Sequence, residues 1–265
     1  MIIKEYVKET KEALRQEILT FKRKPRFTII QLNEDAGSNA YVKGKLKDSE
    51  EIGVDANLIK LPIDTTEEDL LKLIDQINKD PLIDALIVQM PLPKQIDEEK
   101  IKLAVAPEKD VDGFHPMSKF VPCTPKGVID YLKSENVEFV GKNAVVLGRS
   151  NIVGKPAAHL LLKESCNVTV LHSKTSKEDM ARYLKNADII VLAIGKKWFL
   201  KDQELKPTAV IADVGINRDE DGLHGDAYPN LPVKLQTPVP GGVGLLTRVT
   251  LMVNVVEAYK NRNEK

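Results

Sequence analysis

Residues 143–156 read NAVVLGRSNIVGKP, and this segment indicates the type of fold that the chain adopts. The apolar, partly β-branched run from Asn143 to Leu147 predicts a buried strand. Gly148 then opens a loop, and a helical pattern begins at Gly154. A strand, a glycine-bearing loop and a helix in this order are typical of a dinucleotide-binding fold, in which the free N–H groups of the helix N-terminus receive phosphate.

The loop departs from the usual GxGxxG pattern, because Ser150 stands where the second glycine would be and the last glycine comes one position late. An ordinary strand-to-helix turn is therefore the alternative reading. On the dinucleotide reading, the contacts expected from this loop come from Gly148, Arg149, Ser150 and Ile152.

The end of the next strand predicts which dinucleotide is bound. An NAD-specific fold places Asp or Glu about 20 residues after the glycine loop to bind the ribose hydroxyls. Here the segment 171–175 reads LHSKT and carries no acid. A hydroxyl and cationic side chains suit a 2′-phosphate, so the sequence predicts NADP. The expected contacts are His172, Ser173, Lys174 and Thr175, and the alternative is a solvated loop.

Outward from this segment, strands and helices alternate along the whole chain. After an opening helix at about 4–24, strands are predicted at 27–32, 57–61 and 85–88, with helices at 39–52 and 66–79 between them. The second half predicts strands at 143–148, 167–171, 188–194 and 208–213, helices at 154–163 and 176–186, and a last amphipathic segment at 246–259. Such alternation predicts an α/β protein with parallel sheets, and the second half has a doubly wound, Rossmann-type pattern.

Proline and glycine punctuation between Pro107 and Gly127 indicates a domain junction. Three later positions are candidates for the nucleotide site because they follow predicted strands: Gly195, Gly215 and Ile216. Pro240 and Gly241 lie in the turn TPVPGG, where small residues permit close approach of a ligand. Each of these segments taken alone is compatible with an ordinary turn.

The first half contains a second group of candidate site residues. A helix with Ser38 as its N-cap would place Tyr41 and Lys45, four residues apart, next to each other. Gln89 follows the apolar strand 85–88, where its amide needs a partner. Asp112 lies in KDVDG, at another strand-to-loop end. The alternatives are a solvated lysine, a glutamine bonded only to local backbone and a solvated acidic turn.

Composition narrows the class of partner. Thirty-nine basic and thirty-nine acidic residues balance, so no global field favours nucleic acid or anionic membrane. The segment MIIKEYVKETK has the features of neither a signal peptide nor a transit peptide, and no apolar run approaches a membrane span. Cys123 and Cys166 lie in no metal-ligand spacing, which predicts a reducing compartment and no metal. A small-molecule substrate and a cytoplasmic location are expected.

Taken together, the motifs resemble the methylenetetrahydrofolate dehydrogenase/cyclohydrolase family. The resemblance covers nearly the whole chain and is carried, in order, by YVKGK (41–45), VQMPLP (88–93), PEKDVDGFHP (107–116), PCTPKG (122–127), VVLGRSNIVGKP (145–156), HSKT (172–175), DVGINR (213–218), GD (225–226) and TPVPGGVG (237–244). Three features differ from the usual pattern: the loop after Gly113 is short, Leu245-Leu246-Thr247 replaces Pro-Met-Thr, and the usual Asp-Gly-Lys segment is missing ahead of the first predicted helix.

The resemblance implies a role for each candidate in the first half. Lys45 matches the family's catalytic lysine, Gln89 the glutamine bonded to it, Tyr41 the aromatic near the folate, and Asp112 the carboxylate that holds the pterin. It also implies that Gln89, Pro240 and Gly241 contact the substrate. The implied layout is a folate-binding catalytic domain, 1–118 completed by the helix 246–265, and an NADP-binding domain, 119–245, in a homodimer.

The implied function is oxidation of 5,10-methylenetetrahydrofolate with NADP, followed by hydrolysis of the methenyl product to 10-formyltetrahydrofolate. Three alternatives are considered. A dehydrogenase without hydrolysis is disfavoured because both Lys45 and Gln89 are present. A non-catalytic NADP-binding protein would bind the cofactor without turnover. A dehydrogenase of another metabolite would leave VQMPLP and KDVDG unexplained.

Overall fold

Two parallel β-sheets organise the part of the chain that the computed structural model describes, residues 2–263. The chain divides into two compact units. The N-terminal unit consists of Lys8–Cys123 and the residues from Arg248 onward. The central unit consists of Thr124–Thr247 together with the residues up to Val7. The helices α1 (Ile3–Ile18), α5 (Cys123–Ser134) and α8 (Val243–Asn263) each contain residues of both units.

The N-terminal unit contains a three-stranded parallel sheet in the order β2-β1-β3, and Asp110 pairs with Leu86 in a parallel bridge beside β3. Its strands are β1 (Arg26–Gln31), β2 (Asp55–Lys60) and β3 (Ala85–Val88), and its helices include α2 (Ala36–Ile52), α3 (Glu67–Lys79) and α4 (Glu98–Ala104). The carboxyl ends of parallel strands meet at one edge of a sheet, so the segments that follow β1 and β3 leave from the same edge.

Alternate side chains of β1 enter two separate cores. Phe27 and Ile29 are buried in a core with residues of α1, α2 and α8, among them Leu14, Val42 and Val255. Ile30 and Leu32 enter the core on the opposite face, which contains residues of α3 and α4. The last helix therefore has an apolar surface packed in the N-terminal unit, a choice that its periodicity alone left open.

Two helix ends in this unit differ from the sequence prediction. The N-cap of α2 is Asp35 and not Ser38, since the Asp35 carboxylate accepts the backbone N–H of Ser38 at 2.9 Å. The first helix ends at Ile18, where the Thr20 hydroxyl donates to the carbonyl of Glu17. Phe21, counted as helical from its spacing, instead stacks on Tyr259 from the loop that follows α1. An apolar spacing cannot distinguish a helix face from a loop residue that packs on the same core.

The central unit contains a five-stranded parallel sheet in the order β10-β7-β6-β4-β5. Its strands are β4 (Asn143–Leu147), β5 (Asn167–Leu171), β6 (Ile189–Leu192), β7 (Val210–Asp213) and β10 (Leu235–Gln236), with α6 (Gly154–Lys163) after β4 and α7 (Lys177–Asn186) after β5. The strands after β4 lie on both of its sides, which puts the topological switch point between β4 and β6. Open α/β sheets bind ligands at such a point.

Helix α5 and the antiparallel hairpin of β8 (Asn217–Asp219) and β9 (Gly222–His224) were not predicted. The segment that became α5 was interpreted as a proline- and glycine-rich junction. Pro125, in its first turn, and the buried Val128, Ile129 and Leu132 were the available signals, because proline is favoured at a helix start and these apolar residues share one face. Among the described residues, no helix has both the length and the apolar character needed to span a membrane.

Candidate active site

Lys45 and Gln89 meet at the edge of the N-terminal sheet. Lys45 lies on the buried face of α2 with only 6% of its surface exposed, so the solvated-lysine alternative is wrong. Its ammonium donates to the Oε1 of Gln89 at 3.0 Å, and the Nε2 of Gln89 donates to the carbonyl of Met90 at 2.8 Å. Gln89 therefore bonds both the local backbone and Lys45. An ammonium has three donors, and this glutamine orients it through one of them.

Tyr41, one turn before Lys45, is partly buried. Burial raises the pKa of its phenol, and the positive charge of Arg248 acts in the opposite direction. Arg248, on α8, is held by the buried carboxylate of Asp48 on α2 through its Nε at 2.7 Å and its Nη2 at 3.1 Å. Gly44 allows this approach, because a Cβ there would lie 2.2 Å from Nη1 of Arg248. Sequence reasoning did not identify Arg248 or Asp48.

Asp112 follows the segment that pairs with β3, and it lines a small cavity with Val88, Met90 and Phe114. Its neighbour Asp110 is buried, and its carboxylate accepts the N–H of His115 at 2.8 Å. Burial raises the pKa of Asp110 to about 6, against the hydrogen bond from His115, and the charge of Asp112 adds to the rise. The structure thus brings Asp112 next to the segment after Gln89, and the small cavity is lined by Met90 rather than by Gln89.

In the central unit, the loop after β4 leaves the sheet at the switch point. Gly148 has φ +114°, and a Cβ there would lie 2.3 Å from the carbonyl oxygen of Ala193. Gly154 packs against Gly148 in the same way, so both glycines are required by close backbone approach. The Ser150 hydroxyl accepts the N–H groups of Val153 and Gly154 and shapes the turn into α6. The side chains of Arg149, Ser150 and Ile152 are exposed.

The loop after β5 lies beside the loop after β4, because β4 and β5 are paired neighbours and the N–H of Gly148 donates to the carbonyl of Leu171. His172 and Thr175 form this turn: the Thr175 hydroxyl accepts the N–H of His172, and the His172 Nδ1 accepts the N–H of Lys174. Ser173 and Lys174 are exposed at its tip.

Two loops follow β6 and β7, and their predicted residues differ in exposure. Gly195 and Ile216 are exposed, whereas Gly215 is buried. Gly195 has φ +63°, and a Cβ there would meet no atom within 4 Å, so this glycine borders open space. Two buried carboxylates that sequence reasoning did not single out, Asp213 and Asp226, hold these loops.

The turn before α8 is tight. Gly241 has φ +89°, and Pro240 and Gly241 are both exposed. A Cβ at Gly242 would lie 2.1 Å from the carbonyl oxygen of Pro238, which explains the second glycine of the turn. Pro240 and Gly241 belong to the central unit.

The central unit fits a phosphorylated dinucleotide. Within the described residues, the backbone N–H groups of Arg149 and Ser150 donate to no carbonyl or side chain, and such donors in the loop that leads into α6 suit phosphate. No acidic residue lies in the turn after β5, where Ser173 and Lys174 are exposed. This donor set suits an additional phosphate on the ribose.

Two matches to family models cover both halves of the chain. Residues 1–112 match the tetrahydrofolate dehydrogenase/cyclohydrolase catalytic domain, and residues 122–263 match the NAD(P)-binding domain of the same family. A curated relative, the bifunctional protein FolD of Exiguobacterium sibiricum, is 44% identical over 93% of this chain and 94% of its own length.

Solved structures agree with the family matches. The bifunctional FolD methylenetetrahydrofolate dehydrogenase/cyclohydrolase from Campylobacter jejuni superposes with a TM-score of 0.93 at 36% identity, and 97% of each chain is covered. The FolD of Trypanosoma brucei, solved with NADP cofactor and inhibitor, gives a TM-score of 0.92 at 30% identity over 98% of this chain and 97% of the other. This chain therefore belongs to the tetrahydrofolate dehydrogenase/cyclohydrolase family.

Proposed function

We infer that this chain oxidises 5,10-methylenetetrahydrofolate to 5,10-methenyltetrahydrofolate with NADP and then hydrolyses the methenyl compound to 10-formyltetrahydrofolate. The family and its bifunctional relatives support both reactions. The structural observation that carries the second reaction is the hydrogen bond between the buried Lys45 and Gln89.

Hydrolysis requires water to attack the carbon that bridges N5 and N10 and requires the released proton to be removed. Lys45 is the group proposed to position this water and to move its proton. One N–H of the Lys45 ammonium donates to Gln89. This bond limits the directions in which the other two N–H groups can point. Lys45 is 6% exposed, and at such a site its hydrogen bonds compete little with bulk water.

Folate binding is proposed for Tyr41 and Asp112. A partly buried phenol ring offers a face for the aryl group of the substrate. The carboxylate of Asp112 accepts hydrogen bonds, which matches the donor-rich edge of a pterin. Pro240 and Gly241 remain proposed substrate contacts. The proposed folate-binding domain is 1–118 with 246–265, and the proposed NADP-binding domain is 119–245. The division of the chain by compactness falls after Cys123 and after Thr247.

NADP, when bound, would supply the acceptor for the hydride of the methylene carbon. The chain's task in this step is to bind and orient, because hydride transfer needs no proton from the protein. The N–H groups of the loop after β4 are proposed to bind phosphate, and Arg149, Ser173 and Lys174 to bind the 2′-phosphate. His172 and Thr175 form the turn that presents them. Gly195, Gly215 and Ile216 are proposed to border the rest of the cofactor.

One spectrophotometric experiment tests this function. The full chain is mixed with methylenetetrahydrofolate and either NADP or NAD, and methenyl formation and decay are followed. The expected result is oxidation with NADP in preference to NAD, followed by enzyme-dependent loss of the methenyl absorbance. Oxidation without accelerated hydrolysis would show a dehydrogenase only. NADP binding without turnover would show a non-catalytic protein.

We also propose that the chain forms a homodimer through the edge of the central sheet. β5 is an edge strand, and Val170 is 38% exposed on it. Leu162, on the neighbouring α6, is 56% exposed. Strands of a parallel sheet are ordinarily covered on both faces, and an open edge presents unpaired N–H and C=O groups. A second copy of the chain would cover both features.

Sedimentation velocity tests the dimer. Leu162→Lys should shift the protein toward monomer, because a charge would enter the proposed interface. Leu103→Lys is the matched control, since Leu103 is equally exposed but lies on α4 of the N-terminal unit. A monomeric wild-type protein, or a dimer that Leu162→Lys leaves unchanged, would exclude this interface.

The cellular setting is part of the proposal. Cys123 and Cys166 are buried and form no disulfide, and their thiols donate to the carbonyls of Val111 and Phe139, which agrees with the reducing cytoplasm. The product carries a formyl group, and purine biosynthesis is the proposed use for it.

A further inference from the structure

Two buried aspartates of the central unit, Asp213 and Asp226, are joined by a hydrogen bond, and their carboxylates accept N–H groups of the loops that follow β6 and β7. Asp213 is the last residue of β7, and Asp226 follows the hairpin of β8 and β9. Their surfaces are 2% and 0% exposed. Neither side chain forms an ion pair with a cation among the described residues. Buried carboxylates without a cation need several hydrogen-bond donors, and the structure supplies them.

Asp226 receives four donors, three from the loop after β6 and one from Asn217, the first residue of β8. Its Oδ2 accepts the N–H of Ile194 at 2.8 Å and that of Gly195 at 3.0 Å. Its Oδ1 accepts the N–H of Lys196 at 2.7 Å and the side-chain amide of Asn217 at 3.0 Å. Three consecutive backbone N–H groups after β6 thus point at one carboxylate, which fixes the backbone of the residues that include Gly195.

Asp213 holds Asp226 in turn. Its Oδ1 accepts the N–H of Gly215 and the N–H of Asp226, both at 3.0 Å, and its Oδ2 accepts the N–H of Ala227 at 2.8 Å. The segment that carries Asp226 is therefore fastened to the end of β7. Burial raises the pKa of Asp213 to about 6, although these N–H groups oppose the rise, and the charge of Asp226 adds to it.

At two positions beside these carboxylates, only glycine leaves enough room. A Cβ at Gly215 would lie 2.2 Å from the carboxyl carbon of Asp226, and a Cβ at Gly225 would lie 2.0 Å from Oδ2 of Asp213. Gly215 therefore makes room for the carboxylate of Asp226, and Gly225 makes room for that of Asp213. Gly195, in contrast, faces open space on its Cβ side. One side of the loop after β6 is bound to Asp226, and another side is free for a ligand.

We propose that Asp226 is a positioning residue for NADP: it holds the loops after β6 and β7 in the shape that receives the cofactor beyond its phosphates. This inference rests on the proposed assignment of Gly195, Gly215 and Ile216 to the cofactor site. Asp226 is 0% exposed and its carboxylate is taken up by donors of the protein, so its effect passes through the loops. Because the donors come from segments far apart in the chain, one carboxylate couples the two loops.

The test compares Asp226→Asn with Asp219→Asn in the full-length protein. Asparagine keeps the shape of Asp226 but turns one acceptor into a donor that faces N–H groups. Asp219 is the matched control, because it lies in the same hairpin, forms an ion pair with Lys197 and is hydrogen-bonded to the His224 ring. Three quantities are measured for each protein: the dissociation constant for NADP by calorimetry, dehydrogenase kinetics against NADP, and hydrolysis of preformed methenyltetrahydrofolate without cofactor.

Asp226→Asn should weaken NADP binding by about 10- to 100-fold, the range expected for loss of one charge-assisted hydrogen bond. Hydrolysis of the methenyl compound should stay within about twofold of wild type, because the proposed hydrolytic residues Lys45 and Gln89 belong to the N-terminal unit and share no hydrogen-bond partner with Asp226. Asp219→Asn should change neither. Unchanged NADP binding in Asp226→Asn would overturn the proposal, and so would an equal loss of both activities, which indicates general damage to the fold.

Two further variants keep the test decisive if Asp226→Asn does not fold. Asn217→Ala removes one donor to Asp226, and Gly215→Ala places a methyl group against its carboxylate. Both should weaken NADP binding with hydrolysis retained, and normal binding in both would overturn the proposal.

A wild-type protein that reduces no NADP would instead refute the proposed function. Normal NADP binding in Gly195→Val, which strains a position at φ +63°, would refute the assignment of these loops to the cofactor site and the inference with it.

Discussion

At the scale of single residues, the burial of Lys45 is the feature with the largest chemical consequence. A lysine on a helix is ordinarily solvated, yet Lys45 is buried in the N-terminal unit and its ammonium donates a hydrogen bond to Gln89. A buried ammonium needs acceptors, and Gln89 supplies one. The two residues should therefore behave as a unit in catalysis.

Replacing Lys45 tests this coupling. Lys45→Met keeps much of the side chain's length and apolar volume but removes the ammonium, so folate can still dock. We expect hydrolysis of methenyltetrahydrofolate to fall by at least ~100-fold, the lower end of typical acid–base contributions. Dehydrogenase activity should fall less, because hydride transfer needs no proton from Lys45.

A double-mutant cycle supplies the control. Gln89→Ala should cost little further hydrolysis once Lys45 is Met, since residues that act through each other are not additive. Rates are corrected for uncatalysed hydrolysis. Near-wild-type hydrolysis by folded Lys45→Met protein would remove this lysine from the mechanism.

Arg149 carries the prediction on cofactor choice. Its exposed side chain follows Gly148 beside the turn after β5, which contains no acid. Arg149→Ala should weaken NADP binding by about 10- to 100-fold and leave NAD binding nearly unchanged, because only NADP carries the 2′-phosphate. Calorimetry with both cofactors measures the effect. Lys163→Ala, at the far end of α6, controls for loss of a positive charge, and equal losses for NADP and NAD would reject the role of Arg149.

At the scale of secondary-structure elements, α2 is fixed to α8 by a buried charge cluster. Asp48 is 1% exposed and accepts from Arg248 and from Lys11 of α1. Three helices that surround the same core thus share one carboxylate. Because α2 carries Tyr41 and Lys45, this cluster sets the position of both.

Removal of Asp48 should destabilise the N-terminal unit. Asp48→Ala leaves two cations without their buried partner, which typically costs about 3–5 kcal/mol of unfolding free energy. Glu51→Ala is the control, since Glu51 pairs with the same Lys11 from a more exposed position and should cost below about 1 kcal/mol. Urea unfolding followed by circular dichroism measures both. Similar small losses in the two variants would show that the cluster contributes little to stability.

At the scale of the whole molecule, buried carboxylates make stability depend on pH. Burial raises the pKa of Asp110 to about 6 from an ordinary value of 3.8. A raised pKa means that the folded state binds the proton more tightly than the unfolded state. The stability from this group is therefore fully present below about pH 4 and is lost as the pH rises through 6.

Asp110→Asn removes this titration and leaves an oxygen to accept the N–H of His115. Relative to wild type, the variant should gain about 1 kcal/mol of unfolding free energy between pH 5 and pH 7, since one pKa unit corresponds to about 1.4 kcal/mol. Urea unfolding of both proteins at several pH values measures the difference, in which most other groups cancel. A difference that does not vary with pH would show that Asp110 does not titrate in this range.

Much of the fold follows from local patterns. The strands β3 and β5 and the helix α6 lie where their apolar runs and punctuation predicted them. The parallel α/β class and the glycine loop after β4 are confirmed for the same reason: periodicity and turn chemistry are properties of neighbouring residues. The predicted NADP cofactor likewise depends on short segments, and the family match to the second half of the chain is an NAD(P)-binding domain.

Contacts between distant segments could be known only from the tertiary structure. The burial of Lys45 depends on how α2 packs, and its contact with Gln89 joins residues 44 positions apart. The carboxylate of Asp226 meets N–H groups of Ile194 and Gly195 across 32 and 31 positions. The sequence by itself determined the order of strands and helices and the residue types at their ends, because these depend on short-range sterics and solvation. Which buried charges meet was decided by tertiary packing, because desolvation and hydrogen-bond geometry depend on every segment that surrounds a site.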